Sequence, residues 1–192
     1  MHGLRERKKA RTKAAIQRHA VRLFREQGYD ATTVEQIAEA AEVSPSTVFR
    51  YFPTKEDLVV YDDYDPLFVA AFQTQPPELS PIEAMREALR TTLRDLSAAE
   101  LTVQRERTLL VLSVPALWGA SLGNLGQTVG LLSGLVAERT GRDPEDAAVR
   151  AFTGAVFGVM LEVMLRWARE PGVDAPRELD EALALVEAGL PL

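Results

Sequence analysis

LFREQGYDATTVEQIAEAAEVSPSTVFRYFPTKEDL, residues 23–58, is punctuated as a series of short helices packed against one another. Ile16, Ala20, Leu23 and Phe24 recur at i, i+4, i+7 and i+8, the stripe of an amphipathic helix that ends near Gly28. Thr33 and Gln36 form the T-x-x-Q pattern of a capping box, and Val34, Ile37, Ala38 and Ala41 give a second, short helix one apolar face. Ser44 as N-cap and Pro45 at the first helical position begin a third, where proline's missing N–H leaves no bond unmade. Val48 and Phe52 then turn inward together. Pro53 stops this helix, and Thr54 with Asp57 can cap a fourth that carries Leu58 and Val59.

Only about three residues join the second and third helices, the spacing of a helix-turn-helix. In such a unit the second helix enters the major groove with its amino-terminal part toward the bases. With Val48 and Phe52 inward, Pro45, Ser46, Phe49 and Arg50 face outward. Phe49 suits thymine methyl groups, and Arg50 suits a guanine edge or a phosphate. Thr33, Ser44, Thr47, Tyr51 and Lys55 carry hydroxyl or ammonium groups fit to grip phosphates. The helix starts at Thr33 and Thr54 can also aim free N–H groups at the DNA backbone. The plain alternative is a three-helix packing unit with an incidental outward Phe49.

Charge points the same way. Of 192 residues 46% are apolar and 26% charged, an ordinary globular composition, and the net charge is −6. Residues 1–61 hold 11 Lys/Arg against 8 Asp/Glu, so the remainder holds 11 against 20. A basic end on an acidic body implies a polyanion met at that end, and the basic arm from Arg5 to Lys13 can lie along a duplex or in its minor groove. Cysteine is absent, which excludes disulfides, thiol nucleophiles and cysteine-zinc sites. No metal site and no cofactor is expected. The start MHGLRERKKARTK lacks the apolar run of a signal peptide, so a cytoplasmic location is expected.

The same 36 residues resemble the tetracycline-repressor (TetR) family of bacterial transcription regulators. The resemblance is carried by the G-Y-D-A-T-T-V entry, the I-A-x-x-A turn, the S-x-x-T-x-F-x-Y-F recognition helix and the following K-E-D-L. It implies that Thr33, Ser44, Thr47, Tyr51 and Lys55 grip phosphates and that Pro45, Ser46, Phe49 and Arg50 face bases. Two departures stand out. Glu42 sits in the turn where relatives commonly have glycine, and a left-handed conformation there would cost about 1 kcal/mol. Ser46 also replaces a frequent glycine, so an operator cannot be borrowed from a relative.

Beyond residue 61 prolines separate helical stretches near 81–97, 99–113, 115–140, 145–170 and 176–189, with Ser80-Pro81 as a further N-cap and first-turn proline. No strand alternation and no repeat is present. The expectation is an all-α fold of about nine helices: a helix-turn-helix domain with its basic arm over 1–61, and a helical effector-binding and dimerisation domain over 62–192. Thr108 to Ala137 contains no charge and is long enough to span a membrane. Pro115, Asn124 and Gln127 interrupt it, and two buried helices of a soluble domain account for it better, so no membrane partner is expected.

Gly119, Gly123, Gly126, Gly130 and Gly134 share one helix face. Each costs about 0.8–1 kcal/mol relative to alanine, so the five together cost about 4–5 kcal/mol. Either a close helix crossing or a groove for a bulky apolar ligand offsets this. Phe152, Val156, Phe157, Met160, Met164 and Trp167 recur at helical spacings as core or as pocket wall. The resemblance implies an apolar effector pocket, with Trp118, Leu122, Phe152, Met160, Met164 and Trp167 as its expected wall and Arg105, Asn124 and Gln127 as polar groups able to orient a head group. It also implies a homodimer through the last two long helices, 145–170 and 176–189, where Ala151, Gly154, Ala155 and Gly158 allow close approach. Such a dimer reads a palindromic operator with recognition helices about one DNA turn apart, roughly 34–36 Å.

The carboxy-terminal half is further similar to regulators associated with mycofactocin clusters, which implies a long apolar or acyl-CoA-like effector. The expected function is therefore a ligand-responsive repressor; a DNA-binding regulator without a small-molecule effector is the alternative. An enzyme is not expected. His2 and His19 are the only histidines, both in the basic segment, and no G-x-S-x-G, phosphate loop or H-E-x-x-H occurs.

Overall fold

The structure is a computed structural model that describes residues 4–61, 64–94 and 96–191, with side chains for all of these except 4–7 and 64–65. His2 lies outside the described residues. Among them are ten helices and no strand: α1 (Leu4–Gln27), α2 (Val34–Ala40), α3 (Pro45–Tyr51), α4 (Asp57–Val60), α5 (Tyr64–Gln73), α6 (Pro81–Arg94), α7 (Ala98–Ser113), α8 (Pro115–Thr140), α9 (Ala147–Arg169) and α10 (Ala175–Glu187). The fold is all-α, as expected, with ten helices in place of about nine. The additional one is α5, which contains Pro66. That proline falls in the first turn, where an N–H has no intrahelical acceptor, so it is compatible with a helix rather than a break. The basic segment is helical from Leu4 onward.

The chain packs as two compact units. The first comprises the residues up to Tyr61 together with Thr102–Ser121, and the second comprises Asp62–Leu101 and Leu122–Leu192. In the first unit Ile16, Ala20 and Phe24 of α1 meet Ile37 and Ala38 of α2, Val48 and Phe52 around α3, and Leu58 and Val59 of α4. Leu110 of α7 and Leu117 of α8 complete this core. The spacing of apolar residues in the sequence thus maps onto one interior, with Leu23 only half-buried at its margin.

The second unit is built on Phe68 and Phe72 of α5, Ile82, Met85 and Ala88 of α6, Leu132, Leu135 and Val136 of α8, Val149 and Val156 of α9, and Leu183 of α10. Ser80 and Glu83 bond each other's backbone N–H at the start of α6, and Ser97 with Glu100 repeats the device at α7. These bonds hold both glutamate carboxyls below their usual range. Arg86 and Arg90 of α6 pair with Asp180 of α10 at 3.0 and 2.8 Å, and Arg86 also pairs with Glu187.

Thr108 to Ala137 is divided between α7 and α8 at Val114. It is not buried throughout: Leu110, Leu117, Leu132, Leu135, Val136 and Ala137 are inside, whereas Leu109, Trp118 and Leu122 are exposed. Among the described residues α9 is by itself long and apolar enough to cross a membrane, by length and composition, and α7 with α8 is so only as a bent pair. The five glycines of α8 lie in open space, with nothing of this chain within 4 Å of a Cβ built on any of them.

Candidate nucleic-acid interface

α2 and α3 are fixed by their ends more than by their lengths, since seven residues are too few for a stable isolated helix. At the start of α2 the Thr33 hydroxyl accepts from the Gln36 N–H at 3.2 Å, while the Thr33 N–H donates to Gln36 Oε1 at 2.8 Å. The capping box read in the sequence is therefore complete. At its end the Val43 N–H donates to the Ala38 carbonyl and the Glu42 N–H to the Glu39 carbonyl, at 2.9 and 3.0 Å. This is a Schellman closure, whose first residue past the cap is left-handed. That residue is Glu42, with φ of 54°. Ser44 then caps α3, accepting from the Thr47 N–H at 3.2 Å, with Pro45 in the first turn.

This geometry settles which way α3 faces. Val48 and Phe52 are buried, whereas Pro45, Ser46, Phe49 and Arg50 are exposed, Phe49 to 47%. The Phe49 ring and the Arg50 guanidinium are thus adjacent on the open face of α3. Arg50 lies over the Tyr51 ring at 5.4 Å. Thr33 and Ser44 are exposed, and Thr47, Tyr51 and Lys55 are half-buried. The Ser44 hydroxyl shares hydrogen bonds of 2.9 Å with those of Ser46 and Thr47, so the hydroxyls at the head of α3 form one cluster. Lys55 is folded back: its ammonium donates to the Tyr29 carbonyl at 2.6 Å and lies 4.3 Å from the Tyr29 ring. Two of its N–H groups remain for another acceptor.

The surroundings of α3 are tied down by polar groups. The Tyr29 hydroxyl donates to Glu56 at 2.8 Å, and burial with this bond pushes its pKa well above the ordinary value. His19 on α1 is held below its ordinary value, first by burial and then by Arg18 and Arg22, against the opposing pull of Glu42. Thr54 and Asp57 bond each other's backbone N–H at 2.9 and 3.2 Å, yet regular helix begins only at Asp57. One buried charge had no signal in the sequence. Arg107 of α7 donates to the carbonyls of Val59 and Tyr61. Its partners lie 46 to 48 residues away, beyond the reach of any periodicity argument.

The residues expected to wall an effector pocket belong to α8 and α9. Phe152 and Met160 lie half-buried against the core of the second unit, and Trp167 is half-buried. Leu122 and Met164 are exposed, and Trp118 is an exposed residue of the first unit. Asn124 is half-buried and Gln127 exposed on α8, and Arg105 is half-buried on α7. A cavity of about 560 Å³ instead lies between α6 and α10, floored by Leu89, Leu93, Leu179 and Leu183 and edged by Arg86, Arg90 and Arg94. An apolar groove of about 410 Å³ lies between α5 and α8, lined by Pro66, Val69, Ala70, Gln73 and Leu131.

A capped helix-turn-helix with an open aromatic-arginine face, on an all-helical chain, defines a DNA-binding transcriptional regulator. The chain belongs to the TetR family: residues 16–61 match the bacterial regulatory proteins of the tetR family, and residues 79–191 match the MftR C-terminal domain. It is 37% identical over 171 residues to the transcriptional regulator TcmR of Streptomyces glaucescens, covering 85% of this chain and 76% of that one. It is 26% identical over 187 residues to MftR of Mycobacterium tuberculosis, a proposed regulator of mycofactocin biosynthesis, covering 96% and 93% of the two chains. The fold is similar to that of the Thermus thermophilus repressor FadR in complex with lauroyl-CoA, at a TM-score of 0.57 and 26% identity over 94% of this chain and 95% of that one. The family consists of regulators, not enzymes.

Proposed function

We propose that the chain acts in the cytoplasm as a homodimeric repressor that binds a palindromic operator and is released by a bulky apolar or acyl-CoA-like effector. The observation that carries the DNA-binding half is the outward face of α3, with Phe49 and Arg50 open beside the hydroxyls of Ser44, Ser46 and Thr47. In this reading Phe49, Arg50, Pro45 and Ser46 meet base edges, while Thr33, Ser44, Thr47, Tyr51 and Lys55 grip phosphates. The reading function belongs to residues 1–61 and the effector and dimerisation functions to 62–192.

The dimer reading is supported by α9. Of its 23 residues Val149, Thr153, Val156, Val163 and Ala168 are buried within the chain, and Ala151, Gly154, Ala155 and Gly158 line an exposed small-residue face. Leu185 on α10 is exposed as well. An effector is supported by the apolar groove between α5 and α8 and by the lauroyl-CoA held by the Thermus thermophilus relative. Such a ligand must favour the non-binding dimer, and operator DNA must then weaken ligand binding by the same factor.

The test is selection from a random duplex pool, followed by titration of the selected complex with lauroyl-CoA, dodecanoate and coenzyme A. Enrichment of two symmetric half-sites about one turn apart, and release by lauroyl-CoA but not coenzyme A, is the expected result. A pool without enrichment sinks the operator reading, and a complex indifferent to all three compounds sinks the effector class.

A further inference from the structure

We propose that Arg107 is a positioning residue for DNA recognition: its guanidinium fixes the carboxy-terminal end of α4, and through Tyr61 and Phe52 the seating of α3, without touching DNA. The inference rests on the reading of α2 and α3 as the DNA-binding unit.

The last carbonyls of a helix have no partner within it, and α4 is a helix of four residues. Arg107 meets them with a fork. Nε and Nη2 donate to the Val59 carbonyl at 3.0 and 2.8 Å, Nη2 also donates to the Tyr61 carbonyl, and Nη1 donates to Gln104 Oε1 at 2.8 Å. The side chain is buried, with 9% exposure. A planar guanidinium can make this set of bonds at once, whereas an ammonium is a single point donor.

The Tyr61 end is held from a second direction, since Gln17 Nε2 of α1 donates to the same carbonyl at 3.0 Å. Lys13 of α1 lies over the Tyr61 ring at 3.4 Å. That ring meets Phe52 edge-on, with centroids 6.4 Å apart and planes at 82°. Phe52 is the fully buried C-cap of α3. α1, α3, α4 and α7 therefore converge at Val59–Tyr61, where Arg107 donates two hydrogen bonds to the Val59 carbonyl and one to that of Tyr61. A recognition helix of seven residues takes its orientation from such supports, and small errors in placement weaken every base contact together.

The experiment uses the full-length protein and a duplex selected from a random pool by the wild type. Operator affinity, its dependence on salt and the melting temperature are measured for Arg107→Lys and Tyr61→Leu. The expected result for both folded variants is a loss of about tenfold or more in operator affinity with the slope of log affinity against log salt unchanged, because no phosphate contact is removed. Affinity within about twofold of wild type in folded Arg107→Lys overturns the proposal, and so does a loss accompanied by a shallower slope, which would mark Arg107 as a DNA contact. Should Arg107→Lys not fold, Tyr61→Leu decides, because it keeps both carbonyls and Arg107 but removes the ring against Phe52; retained affinity then overturns the proposal. Failure of the wild type to enrich any sequence would overturn the DNA-reading assignment itself, and this inference with it, and is distinguishable from the other outcomes.

Discussion

Phe49 and Arg50 stand on the open side of α3 because Val48 and Phe52 are held on its closed side. Arg50→Ala is expected to cost about 1–3 kcal/mol of operator affinity while leaving weak binding to unrelated DNA nearly unchanged, as read by anisotropy on the two duplexes. Glu42 carries a different kind of prediction. Its left-handed backbone costs an L-residue about 1–2 kcal/mol, and glycine gives back about 0.5–1 kcal/mol through its freer unfolded chain. Glu42→Gly is thus expected to stabilise by up to about 1 kcal/mol and to raise the melting temperature by about 1–4 °C. A lower melting temperature would mean that the turn does not need its left-handed residue.

Elements were legible where their ends carry chemistry. Thr33 with Gln36, Ser44 with Pro45, and Ser80 with Pro81 mark starts that the structure keeps, and Val48 with Phe52 fixed the register of α3. Where punctuation pointed the other way the reading failed: Pro66 looked like a break and sits inside the first turn of α5. Contacts between distant elements were not legible at all, as with Arg107 on the carbonyls of α4 and Arg86 on Asp180. The expected effector wall came from helical spacing together with the family resemblance, and spacing says that residues share a helix face but not what lies opposite that face. The pairing of α6 with α10 makes a testable claim of its own. Arg86 and then Arg90 hold the Asp180 carboxyl below its usual range. A lowered folded pKa gives stability that is present above about pH 4 and is lost as the pH falls through the folded value. Asp180→Asn is expected to cost about 1–3 kcal/mol at pH 7 in urea unfolding and to flatten the loss of stability below pH 4. An unchanged acid limb would show that this network does not link α6 to α10 in solution.

At the scale of the whole molecule the charge asymmetry and the uncovered helix faces belong to one account. The amino-terminal 61 residues carry a surplus of base over acid while the rest is acidic, so one end is suited to a polyanion. In the proposed dimer the small residues of α9 meet a second copy. A Cβ at Gly158 meets nothing within 4 Å in this chain, so Gly158→Leu leaves the single chain room and improves its helix propensity by about 0.8 kcal/mol. It is expected to fold normally and to sediment as a monomer where the wild type sediments as a dimer. A dimer that persists would place the interface elsewhere.

The central claim is that α3 reads DNA, and fluorescence anisotropy tests it most directly. The selected duplex and a scrambled duplex of the same composition are titrated with wild type and Arg50→Ala at several salt concentrations. The account predicts tight, saturable binding of wild type to the selected duplex alone, and for Arg50→Ala a loss of about 1–3 kcal/mol on the selected duplex with the weak, salt-sensitive binding to the scrambled duplex nearly unchanged. Wild type that binds both duplexes equally and is released by modest salt would contradict it, leaving the basic amino-terminal end as a generic polyanion contact.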